Sequence, residues 1–146
     1  MHKLLFVAFS FFVSSFTRWE PDFATALQSA KEKHRLVLVN FSGSDWCGPC
    51  IRMRKEIFEN DAFSKMAEDY LVLVNADFPR NKKNQLGKAI IKQNELLADK
   101  YNPNGLFPYT VLINDQGNLV KAWEGLPKET AAEFATEVKA ICDANK

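Results

Sequence analysis

Cys47 and Cys50, separated only by Gly48 and Pro49, are the residues of this chain best suited to chemistry. Two thiols at that spacing can close a small disulfide or stand side by side. The two states differ by two electrons and little backbone movement. Metal sites also use the spacing, but they normally need four ligands. Neither a second Cys-x-x-Cys nor a His pair is present, and His34 and Cys142 lie far away in sequence. The pattern therefore points to thiol redox chemistry, with no metal expected.

Two elements must position the pair. Leu36 to Phe41 is an apolar run broken only by Asn40, which predicts a strand covered on both faces. Ile51 to Phe58 reads as a helix that turns Cys50, Met53 and Ile57 to one side. A cysteine where a strand hands over to a helix N-terminus meets unpaired N–H groups and the positive end of the helix dipole. That favours the thiolate, the form that attacks disulfides.

The remaining elements read as follows. Glu20-Pro21-Asp22 opens a helix whose apolar positions are Phe23, Ala26, Leu27 and Ala30. Asn60-Asp61 precedes a short helix from Ala62 to Asp69, and Tyr70 to Ala76 is a second apolar strand. A polar segment, 80–85, leads to a helix over 87–101. Strands at 109–113 and 118–123, joined by Asn114-Asp115-Gln116-Gly117, predict an antiparallel hairpin. A last helix spans 128–144 and carries Cys142, expected to pack as a small apolar residue. The first two strands are joined through helix and should run parallel. The result is an α/β three-layer sandwich: a mixed sheet of about four strands with helices on both faces.

At 146 residues, 47% apolar and 25% charged, with a formal net charge of +1, the chain reads as one globular domain. This balance argues against nucleic acid or a membrane surface as partner. Residues 1–16 differ from the rest. Lys3 precedes the apolar run Leu4 to Val13, and Ser14-Ser15 supplies small residues at a cleavage point, the order of a secretory signal peptide. The run is short of the ~20 apolar residues of a membrane span. Export is the expectation, with residues 17–146 as the mature domain; an uncleaved N-terminal anchor and a buried N-terminal element are the alternatives.

The element order and Trp46-Cys47-Gly48-Pro49-Cys50 together resemble the thioredoxin family, and Gly105-Leu106-Phe107-Pro108-Tyr109 resembles its cis-proline loop. The likeness covers 23–144. Ser42 to Trp46, Phe58 to Phe63 and the insertion between Asp77 and Leu97 are more similar to exported bacterial members than to the small cytosolic thioredoxin. The resemblance implies a thioredoxin-like sandwich and a thiol–disulfide oxidoreductase with no cofactor beyond its own dithiol. Its expected partners are disulfide-containing proteins and a membrane thiol donor, met by a monomer in the bacterial periplasm. Cys47 would be the attacking thiolate at the exposed helix end and Cys50 the resolving thiol. Trp46, Gly48, Pro49, Phe107 and Pro108 would form the substrate surface, with Trp46 as an apolar rim and Phe107 offering backbone to an extended segment. Asp45 reads as a turn residue.

Two positions depart from the family. Asn40 stands where cytosolic members carry a buried aspartate, and Leu73 where they carry a lysine. An amide is no base, so the proton of Cys50 needs another route. Gly-Pro between the cysteines resembles reducing members. Oxidase or isomerase work, or a binding module with a structural disulfide, are the alternative functions.

Overall fold

A computed structural model describes residues 17–146; the expected signal segment, 1–16, lies outside them. The chain runs α1 (Phe23–Lys33), β1 (Leu36–Ser42), α2 (Gly48–Arg52), α3 (Asp61–Tyr70), β2 (Leu71–Asp77), α4 (Lys88–Tyr101), β3 (Tyr109–Ile113), β4 (Leu119–Glu124) and α5 (Ala131–Ala144). The four strands form one mixed sheet in the order β2-β1-β3-β4. β1 pairs parallel with β2 and antiparallel with β3, and β3 with β4 closes the expected hairpin.

β1 is buried along its whole length because it serves both faces. Leu36 and Leu38 point toward the core shared by α3, α5 and the helical segment that follows α2. Val37, Val39 and Phe41 point to the core under α1 and α4. The same alternation puts Asn40 and Ser42 on the α2 side, which decides what lies beneath the cysteines. On β2, Leu71, Leu73 and Asn75 share that side, and Asn40 pairs in register with Asn75.

The chain departs from the expected elements at three places. Beyond Arg52 the active-site helix widens into a π-helical segment, Met53–Phe58, in which Glu59 N–H reaches back to Arg54 C=O. The wider turn brings Met53, Ile57 and Phe58 into the core together, where a regular helix would turn one of them outward. α5 begins at Ala131 and not at 128, because Thr130 caps it: the Thr130 hydroxyl accepts Glu133 N–H while the Glu133 carboxylate accepts Thr130 N–H. Finally, Trp19 forms a parallel bridge with Leu73 on the free edge of β2, and Glu20 N–H donates to Leu73 C=O at 2.7 Å. The Trp19 ring then meets Phe58 edge-on at 5.2 Å.

Candidate active site

The sheet delivers β1 to the loop Gly43–Trp46, and that loop delivers Cys47 to the start of α2. Cys47 is the N-cap: its backbone is extended, and its Sγ accepts the Cys50 N–H at 3.3 Å. Pro49 occupies the first turn, where its missing N–H leaves no hydrogen bond unmade. Cys47 and Cys50 are joined as a disulfide across a Cα separation of 5.2 Å. In this state Cys47 is 6% exposed and Cys50 2%. The expectation of an exposed Cys47 is thereby corrected: its sulfur turns inward onto the helix end, and Gly48 and Pro49 are what meets solvent.

The Phe107–Pro108 peptide bond is cis. Phe107 contacts Trp46 edge-on at 5.4 Å and Phe78 at 5.6 Å, making an aromatic wall beside the pair. Among the described residues, neither the N–H nor the C=O of Phe107 takes a hydrogen-bond partner. Asn102 fixes the approach to this loop by exchanging two hydrogen bonds with the Leu106 backbone at 2.9 Å each.

Trp46 is half-buried, part rim and part core. Its Nε1–H donates to Phe78 C=O at 2.8 Å, and the Arg80 guanidinium lies over the ring, 3.8 Å from the centroid. Asp45, expected to be a mere turn residue, is a clip. Its carboxylate accepts the N–H groups of Arg80 and Asn81, each at 2.9 Å, and the Asn84 amide at 3.0 Å. Those donors, Arg80 N–H first, hold its carboxyl below the usual carboxylate range. Ser44 adds hydrogen bonds to both oxygens of Asp77. Phe78, Arg80, Asn81 and Asn84 thus stitch their segment to the loop before Cys47.

Beneath Cys50 lies a cavity of about 250 Å³. Buried Asn40 and Ser42 form its floor, and exposed Arg54, Glu59 and Asn75 its mouth. Asn40 donates its Nδ2 to Asn75 Oδ1 at 3.0 Å and accepts the Thr110 hydroxyl at 3.3 Å. Leu73, two residues earlier on the same side, is core. The polar partners of Asn40 are therefore Asn75 and Thr110, and Trp19 lines the cavity as well. Sequence reasoning missed Trp19 and Asp45, since neither sits in a local motif that marks its role. Cys142 packs into the α5 core as expected; burial, and next the Asp143 carboxylate, push its thiol up to about 11. No group of His, Cys, Asp and Glu suited to holding a metal occurs among the described residues.

A helix capped by one cysteine of a bonded pair, beside a cis-proline loop at the end of a mixed sheet, is the architecture of thioredoxin-fold dithiol proteins. The chain belongs to the thioredoxin-like family, whose domain model matches residues 23–141. It is 33% identical over 122 residues to the disulfide bond reductase DsbH of Chlamydia pneumoniae, across 84% of this chain and 70% of that protein. It is 30% identical over 127 residues to the thioredoxin-related protein DsbJ of the same organism, covering 87% of this chain but only 36% of DsbJ. A solved structure of a DsbH oxidoreductase superposes with a TM-score of 0.81 at 27% identity, over 97% of this chain and 95% of that one. A thioredoxin from Thermus thermophilus shares the fold, with a TM-score of 0.64 at 23% identity over 88% of each chain. The chain is a thiol–disulfide oxidoreductase.

Proposed function

We propose that this oxidoreductase works as a reductase of protein disulfides outside the cytoplasm, with Cys47 as the attacking thiolate and Cys50 as the resolving thiol. The observation that carries the assignment of roles is that Cys47, not Cys50, caps α2 and holds its sulfur against a helix N–H. There the dipole and the donor favour the thiolate. Cys47 S⁻ attacks one sulfur of a substrate disulfide, forming a mixed disulfide and releasing a thiolate. Cys50 loses its proton and attacks Cys47 Sγ, closing the Cys47–Cys50 disulfide and releasing the second thiolate. Two electrons pass to the substrate; one product thiolate takes up the proton lost by Cys50, and the other takes one from solvent, which gained it when Cys47 ionised. Asn40 cannot accept the Cys50 proton, so it leaves through the cavity that opens from Cys50 to the Arg54–Glu59–Asn75 mouth.

Trp46, Gly48, Pro49, Phe107 and Pro108 form the surface on which the substrate lies. The unpaired N–H and C=O of Phe107 offer it a strand-like partner. The reducing direction is supported by the DsbH relative, a disulfide bond reductase. Residues 1–16 act as the export signal, the mature protein is a monomer, and a membrane thiol carrier returns it to the dithiol state with no added cofactor. The test is reduction of a protein disulfide by pre-reduced enzyme. Cys47→Ser should abolish it, and Cys50→Ser should accumulate a mixed disulfide on Cys47. Full turnover by Cys47→Ser would reject the assignment. Fractionation with N-terminal sequencing of the mature protein tests export.

A further inference from the structure

We infer that the segment clipped beside the cysteines selects its substrates by charge, and that the preferred disulfide lies in a protein segment rich in carboxylates. This rests on the reductase reading above and names the substrate class for the same site. Between Asp77 and Glu95 the chain carries Arg80, Lys82, Lys83, Lys88 and Lys92 and no acidic residue. All are exposed, and none takes part in a salt bridge among the described residues. Unpaired cations such as Lys55 and Lys65 occur elsewhere on the surface too, but there acids stand close by in sequence, as Glu56 and Glu68 do; a run of five cations with no acid among them occurs here.

Local stability does not explain the grouping. Lys88 is the first residue of α4, where a cation opposes the helix dipole. Its N-cap, Gly87, makes no side-chain capping bond, and the first turn holds no acid. Lys88 and Lys92 then repeat a like charge at a spacing of four. Each of these features costs a little, and none is offset within the segment.

Placement gives the cations their use. The three hydrogen bonds that the Asp45 carboxylate accepts hold 80–84 against the loop at a point two residues before Cys47. Arg80 lies over the Trp46 ring, which also meets Phe107 edge-on. Asp45 and Asp77, the acids hydrogen-bonded into this loop, keep their charges and are turned inward onto its N–H and O–H donors. Against their two negative charges the segment sets the three of Arg80, Lys82 and Lys83, all on exposed side chains, so the solvent side of the clipped loop presents a positive field. A carboxylate a few residues from the attacked cysteine gains from that field on approach, and a lysine there is repelled.

The experiment uses three peptides with one internal disulfide each, identical except for flanks of Asp/Glu, Asn/Gln or Lys. Pre-reduced protein is mixed with each, and the second-order rate constant for a single turnover is read. At about 20 mM salt the acidic peptide should react about tenfold faster than the neutral one and the basic peptide slower; near 0.5 M salt the spread should collapse. Lys82→Glu with Lys83→Glu should reverse the order, the neutral peptide serving as the internal reference that cancels any general loss. Equal rates for all three at low salt, or a spread that survives both salt and the double substitution, would overturn charge selection while leaving the reductase reading intact. Failure to reduce any peptide would overturn both.

Discussion

Gly43 gives the sharpest test of how the active-site loop is built. It is buried and its backbone needs no glycine-specific angle, yet an added methyl has nowhere to go. A Cβ there would lie 2.5 Å from Trp46 Cζ2, 2.7 Å from Nε1 and closer still to Cε2. Comfortable carbon contacts are ~3.5–4 Å, so the overlap is about 1 Å. The Gly43 backbone cannot retreat freely, because its C=O accepts both Trp46 N–H at 3.2 Å and Cys47 N–H at 2.8 Å. If the ring stays, overpacking costs ~1–3 kcal/mol. If it swings away, it loses the Phe78 hydrogen bond, ~1 kcal/mol, and the Phe107 edge contact, ~1 kcal/mol, with the Arg80 contact adding ~0.5 kcal/mol. Both routes converge on ~2 kcal/mol, a factor of ~30 in the folding equilibrium. Gly43→Ala should lower stability by that amount in urea unfolding of the oxidised protein and shift the Trp46 indole N–H resonance. Gly48→Ala places its methyl in open space and should be neutral or slightly stabilising. A Gly43→Ala loss below ~0.5 kcal/mol, with the indole resonance unmoved, would refute the packing argument.

Other outcomes follow from the same contacts. The Asp45 carboxyl is held below its unfolded value, so its clip contributes fully above pH ~4 and is lost as acid carries the pH down through the lowered value. The Arg80 and Asn81 amide resonances should move together in that acid range, and Asp45→Asn should abolish the transition. Cys142, with its thiol pushed up to about 11, should resist a thiol reagent at neutral pH in the folded protein and react on unfolding. Phe134 is fully buried between Phe63 and Trp123, so Phe134→Ala should cost ~3–5 kcal/mol in urea unfolding, releasing α5 from the sheet.

The sequence alone determined the elements, their order and the place of the cysteine pair at the mouth of a helix. The rules behind those readings are local: an apolar run in β1, helix-opening residues at Glu20-Pro21-Asp22 and Asn60-Asp61, turn residues between β3 and β4. Helix ends were less legible: the last helix reads from 128 on composition, while the Thr130–Glu133 capping box starts it at Ala131. Tertiary structure decided what surrounds the sulfurs. Asp45 reaches Arg80 and Asn84, Asn40 finds Asn75, and Trp19 closes the cavity under Cys50, all across gaps of more than thirty residues. No propensity or period links side chains so far apart. Only the parallel registry of β1 with β2 sets Asn40 opposite Asn75, and only the packing of the loops brings a basic segment to the rim of the dithiol.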